Sequence, residues 1–143
     1  MDCDVIQADG GTRTAAITGG YIALLLALGR AIDDGSVEPE ALASPVAAVS
    51  VGMVEGIPLL DLDYQEDAAA DVDANIVANA NGEFIEVQST AEGRPLSRQD
   101  LDSLINMATA GISKLQNFQR EMIQQADIPV GEQIWAVSDP NAA

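Results

Sequence analysis

Gln7-Ala8-Asp9-Gly10-Gly11-Thr12-Arg13-Thr14 is the stretch from which the rest of the chain can be read. It sets an arginine beside two glycines and two threonines, just before a long apolar segment with helical spacing. The first N–H groups of a helix have no intrahelical partners, and the helix dipole favours negative charge there. Glycine lets an anion's oxygen approach the main chain without meeting a Cβ. Two readings follow. In the first, Thr12 caps the helix and Arg13 is a solvated first-turn residue. In the second, Gly11, Thr12 and Arg13 hold an anion such as phosphate.

The helix expected from this start runs from Thr14 to Asp33, with Ile17, Tyr21, Leu24, Leu25, Leu28 and Ile32 on one face. Gly19 and Gly20 weaken it, so they are expected to admit a closely packed neighbour. Asp33-Asp34-Gly35 ends it, and Ser36 to Ser44 is a loop carrying Pro39. Val46 to Val54 is uncharged and rich in β-branched residues, which predicts a buried strand. Glu55-Gly56 turns it back into a second strand, Ile57 to Leu62. A second hairpin joins Asp71–Ala78 to Glu83–Ser89 through Asn81-Gly82, with Phe84, Glu86 and Gln88 alternating against Ile85 and Val87 in a half-buried strand. Ser97 to Gln124 is the longest helix. Ser97 and Asp100 resemble a capping box, and Leu101, Leu104, Ile105, Ala108, Ile112, Leu115, Phe118 and Met122 form the apolar face. The order is long helix, hairpin, hairpin, long helix. Asp2 to Ala8 has strand character and no upstream partner. From Ala126 the chain reads as a tail, in which Trp135 is either an anchor for a partner chain or a local clasp.

Composition narrows the chemistry. The 143 residues suffice for one domain. Apolar residues make up 48% but aromatics only 3%, so the core is built from Ala, Val, Ile and Leu, as in an α+β (α/β two-layer) domain. The single Cys3 excludes an internal disulfide framework and reads as a packed residue. No histidine is present, which excludes a Ser-His-Asp triad, a Cys-His dyad and imidazole metal ligands. Any metal is therefore a hard cation on carboxylates, Mg2+ or Mn2+. The Tyr21–Leu28 apolar run is too short to cross a bilayer and no secretory signal is visible, so no membrane partner and a cytoplasmic location are expected. Net charge −17 argues against nonspecific affinity for nucleic acid.

The acidic run Asp61-Leu62-Asp63-Tyr64-Gln65-Glu66-Asp67, followed by Asp71 and Asp73, lies where a strand gives way to a loop. It reads either as a solvated acidic loop or as a place where Asp61 and Asp67 converge on Mg2+. Joined to Gly11, Thr12 and Arg13, the second reading suits phosphoryl transfer. The lysine and spacing of a P-loop are missing. Glu86 and Glu92 read as structural or rim residues.

Asp2 to Gly19 closely resembles the segment that marks bacterial ribonuclease PH. Val46 to Gly52, Asp61 to Tyr64, Glu66-Asp67, Asp71 to Asn75 and Glu86 to Gly93 resemble further segments of that family, in the same order. The resemblance covers roughly Asp2 to Met122. It implies a ribonuclease PH-type domain and a phosphorolytic 3′→5′ exoribonuclease. Such an enzyme matures tRNA 3′ ends with inorganic phosphate as co-substrate, releases nucleoside diphosphates and runs in reverse to add nucleotides. It implies a homo-oligomeric ring, a hexamer built as a trimer of dimers. Residue by residue, Gly11, Thr12 and Arg13 match phosphate-binding positions. Asp61 and Asp67 match the paired aspartates credited with metal binding and acid catalysis. Family members carry a further region ahead of this segment, with RNA-gripping basic residues and another phosphate-binding arginine. The expectation is a partial domain at 1–125, lacking its N-terminal portion, and a tail at 126–143. Three roles remain: a catalytic portion active once that region is supplied, a non-catalytic ring subunit, or an inactive fragment.

Overall fold

The computed structural model describes residues 1–38, 41–126 and 132–135. Pro39 and most of the expected tail lie outside the described residues. Helix α1 spans Thr12–Asp33. Strands β1 (Val46–Val54) and β2 (Ile57–Leu60) form the first hairpin. A short helix, α2 (Tyr64–Ala69), precedes the second hairpin, β3 (Val72–Asn79) and β4 (Phe84–Ala91), and α3 (Arg98–Gln125) follows. The result is an α+β fold on a four-stranded antiparallel sheet in the order β2-β1-β3-β4.

Alternation along the strands divides the sheet into two faces. Ala47, Val49, Val51 and Met53 of β1 join Val72, Ala74, Ile76 and Ala78 of β3 in one buried cluster, sealed by Leu104, Ala108 and Ile112 of α3. The opposite face carries cross-strand rows. Ala48 pairs with Val77 and Val77 with Glu86; Ser50 pairs with Asn75 and Asn75 with Gln88; Gly52 pairs with Asp73 and Asp73 with Thr90. This second face holds the polar side chains.

Strand β2 covers only the Val51–Val54 part of β1. Along the remainder, α1 takes the place of a strand: Thr18 Oγ1 both donates to the Ala48 carbonyl and accepts from the Ala48 N–H, at 3.1 and 3.0 Å. Gln119 of α3, fully buried, donates to the carbonyls of Thr18 and Val46, both at 3.0 Å. One amide thus ties both helices to the sheet and satisfies main-chain groups that no strand reaches. By length and composition α1 is apolar enough to cross a membrane, more so than its Tyr21–Leu28 run suggests. Only Thr14, Leu25 and Gly29 of α1 are buried; Leu24, expected on its packed face, is exposed along with Leu26, and the Thr18 bonds hold one side of the helix to β1.

Several expectations change. Helix α1 starts at Thr12, two residues before Thr14, and its N-cap is Gly11, so Thr12 does not cap it. Gly19 has no neighbour within 4 Å of a would-be Cβ, and Gly20 meets only Met1 and Cys3, so neither admits a packed element. Cys3 is exposed rather than packed, and Asp2–Ala8 forms no strand. The second hairpin does not close on a two-residue turn; Asn79 accepts from Gly82 and donates to Glu83, and only Gly82 takes a left-handed conformation. No residue of β4 is buried, because α3 packs over β1, β2 and β3 and leaves the edge strand uncovered. On α3, Phe118 and Met122 are exposed, while Gln119 and Ile123 turn inward. The Ser97 hydroxyl does cap α3, accepting from the Asp100 N–H, and the Asp100 carboxylate is shared between the Ser97 cap and Arg94. Trp135 is buried beneath the Arg120 guanidinium, 5.1 Å from the ring centroid, and acts as a local clasp.

Candidate active site

The chain ahead of α1 is pinned by Asp9. Its Oδ1 accepts from the N–H groups of Gly10 (2.8 Å) and Tyr64 (2.7 Å), which joins the helix start to the beginning of α2. Gly10 makes this junction possible, since a Cβ there would collide with the Leu62 carbonyl oxygen. Gly11 adopts φ 66°, ψ 21°, the left-handed region that L side chains avoid. No side chain caps α1 and no acidic residue stands in its first turn. Its leading N–H groups are thus left for an external acceptor.

The acidic segment is more ordered than a loop. Asp63 accepts from Gln65 and Glu66 N–H groups at 2.8 Å, while Glu66 accepts from the Asp63 N–H at 3.0 Å. This capping box starts α2. The spacing Asp63-x-x-Glu66 is the signal that the reading above missed. Leu62 is buried at 1% exposure and anchors the segment.

A cavity of about 240 Å³ gathers Gly11, Thr12, Arg13 and Asp67, together with Asp9, Ser50, Asp73, Ala74 and Asn75. The three phosphate candidates and one of the two aspartates therefore meet. Asp61 does not join them. It stands at φ 60°, its N–H donates to the Ser50 carbonyl at 2.8 Å, and it lines a second cavity with Gly10, Gly11 and Lys114. In the first cavity Asp67 has Asp73 for company.

Arg13 is held in a fork. Its two terminal nitrogens donate to the two oxygens of Glu86 at 2.6 and 2.7 Å. The hydrogen bonds, then the charge of Glu86, raise the arginine's pKa. The hydrogen bond from Arg13 holds the Glu86 carboxyl below the usual carboxylate range. Glu86 lies on the cross-strand row that begins at Ala48, so the register of three strands places it under α1. Glu86 thus takes the structural rather than the rim role of the two expected for it, though nothing local links positions 13 and 86 to name its partner.

Among the described residues no group of three or more His, Cys, Asp or Glu side chains is placed to hold a metal. The cavity does offer hard oxygen donors in Asp67, Asp73 and the Asn75 amide, and Mg2+ commonly uses one or two carboxylates, with water and phosphate oxygens completing its shell. The donor set fits such an ion.

Residues 44–111 match the 3′ exoribonuclease family, domain 2. Over 127 residues the chain is 54% identical to ribonuclease PH of Prochlorococcus marinus (strain MIT 9313), covering 89% of this chain and 52% of that protein. Nearly nine tenths of this chain is thus similar to about half of a ribonuclease PH. Ribonuclease PH of Neisseria gonorrhoeae (strain NCCP11945) is 51% identical over 126 residues, covering 88% of this chain and 52% of that protein. The chain thus spans about half the length of the curated relatives it matches. The crystal structure of rice (Oryza sativa) Rrp46 superposes with a TM-score of 0.65 at 23% identity, covering 84% of this chain and 51% of that one, and shares the fold.

Proposed function

We propose that this chain carries the phosphate-binding and acidic half of a phosphorolytic 3′→5′ exoribonuclease that matures tRNA 3′ ends in the cytoplasm. The observation that carries this reading is the single cavity in which an uncapped helix start and Arg13 face Asp67 and Asp73. Inorganic phosphate held there attacks the terminal phosphodiester. The bond to the penultimate 3′ oxygen breaks, and a nucleoside diphosphate leaves. Reversal adds a nucleotide. Arg13 and the first-turn N–H groups of α1 hold the attacking phosphate and stabilise the developing charge. Asp67 assists departure of the 3′ oxygen as proton donor. Mg2+ or Mn2+ would be held by Asp67 with Asp73 and the Asn75 amide, and would supply charge neutralisation in place of that proton.

The RNA grip comes from elsewhere. Only six Lys and Arg stand against 23 Asp and Glu, and Arg13, Arg94 and Arg98 are engaged in ion pairs. In this reading the working enzyme pairs this portion with an N-terminal portion, on the same chain or a separate one, and with further copies in a hexameric ring. The test is phosphorolysis of a tRNA precursor, with and without the N-terminal half of a related ribonuclease PH. Phosphate-dependent release of nucleoside diphosphates is expected only with that half. Its failure in both arms sinks the reading. One observation favours the alternative of a non-catalytic ring subunit: both oxygens of Glu86 already occupy Arg13. Glu86→Gln, which weakens that fork, separates the two. Phosphorolysis that persists in the variant supports an enzyme, and absence of turnover in both forms supports the structural subunit.

A further inference from the structure

Ser50 stands out among the buried polar groups. It sits in the middle of β1, 5% exposed, and its hydroxyl oxygen has no hydrogen-bond partner. Its main chain is fully used: the Ser50 carbonyl accepts from Asp61, and the residue pairs with Asn75 across the sheet. A buried hydroxyl without a partner costs free energy, and native structures rarely keep one without a use. Alanine or valine would fill a strand position more cheaply.

The hydroxyl points to the place where α1 begins. A Cβ built on Gly11 would lie 2.8 Å from Ser50 Oγ, so only the missing side chain of Gly11 keeps the space above Ser50 open. Ser50 lines the same cavity as Thr12, Arg13 and Asp67. The Thr14 and Thr12 hydroxyls nearby are already donating, to the carbonyls of Gly11 and Asp9 at 2.7 and 2.8 Å. Ser50 therefore holds a hydroxyl proton that the protein itself does not use. A neutral donor is apt here, because the cavity also contains the Asp67 and Asp73 carboxylates.

We infer that the Ser50 hydroxyl donates to inorganic phosphate bound at the start of α1, as a floor beneath the anion that Arg13 and the helix N–H groups hold from above. This rests on the reading of the cavity as a phosphate site. It adds to that reading a residue from the centre of the sheet, and it gives a reason for a serine in an otherwise apolar strand.

The test is calorimetric titration of inorganic phosphate, in the presence of Mg2+, into the chain alone and into the chain combined with the N-terminal half of a relative. Thermal unfolding is followed in parallel. Ser50→Ala is expected to weaken phosphate binding about tenfold, the loss of one hydrogen bond to a charged acceptor. The phosphate-free variant is expected to melt at the same temperature or higher, because it loses only an unsatisfied group. Arg13→Ala serves as the control for the site itself. Phosphate affinity unchanged in Ser50→Ala but reduced in Arg13→Ala overturns the role of Ser50 and leaves the phosphate site standing. A lower melting temperature for phosphate-free Ser50→Ala also overturns it, since the hydroxyl then serves the fold. Absence of phosphate binding by the unsubstituted protein in both forms overturns the site and Ser50 together.

Discussion

The two faces of the sheet are made by the same strands and do opposite work. Toward α3, β1 and β3 present Ala47, Val49, Val51, Met53, Val72, Ala74, Ile76 and Ala78, all buried. One residue along in each strand, the other face presents Ser50, Asp73 and Asn75 to a cavity. The first face is closed by an apolar helix and gains stability from burial. The second is covered only in part, by the start of α1 over Ser50, by Leu62 over Gly52 and by Arg13 reaching across to Glu86, and it keeps a buried hydroxyl without the partner that a core would demand. A strand period of two separates stability from chemistry here, so substitutions on neighbouring residues of β1 or β3 have different kinds of consequence.

The largest effect expected from this contrast is on turnover. In the complex completed by an N-terminal half, Arg13→Ala and Asp67→Ala each lower phosphorolysis by about 10²–10³-fold, as for loss of one charge-stabilising group, with little change in melting temperature. Retained turnover in both variants would break the division of labour between the faces. On the α3 side, Leu104→Ala costs about 2–5 kcal/mol in urea unfolding, because the fully buried side chain leaves a cavity. The same measurement on Asn75→Ala, on the open face, reads under about 1 kcal/mol. Equal losses at the two positions would show that the open face is also structural.

Gly11→Ala sharpens the comparison at the junction of helix and sheet. Its left-handed backbone and the nearness of Ser50 Oγ make a Cβ costly, by about 1–3 kcal/mol, and phosphate binding falls with it. A variant as stable as the parent that still binds phosphate would mean that the turn can relax.

The smallest effect is a pH response. The Ser97 cap and Arg94 hold the Asp100 carboxyl below its ordinary value, and Arg13 does the same for Glu86. Both groups have folded-state pKa values below the unfolded ones. Their contribution is complete above the ordinary carboxylate pKa of about 4 and is lost as pH falls through the lowered values. Asp100→Asn is therefore expected to reduce the drop in melting temperature below about pH 4. An unchanged acid profile would show that the cap does not couple to folding.

Much of this architecture is legible in local patterns. The uncharged, β-branched run at Val46–Val54 is β1 over the same residues, and Ser97 caps α3 as its position before the apolar repeat suggests. The sequence pattern fails where distant main-chain groups need partners. Gln119 is absent from the apolar face expected for the last helix, yet it is buried, with its amide donating to the Thr18 and Val46 carbonyls. Phe118, read as core, stays exposed on the next position around the same helix.

What the sequence determined by itself is local: the two long helices, the four strands of the two hairpins and the Ser97 cap, with the Asp63–Glu66 box as a local signal that the expected loop overlooks. These depend on residues a few positions apart, within reach of spacing and propensity. What only the tertiary structure decided is which distant groups meet. Cross-strand register carries Glu86 to Arg13 and places Asp73 beside Asp67, while Asp61 turns to another cavity. The same packing leaves the Ser50 hydroxyl buried without a partner. Register and helix placement are set by the whole buried face at once, so no single segment contains them.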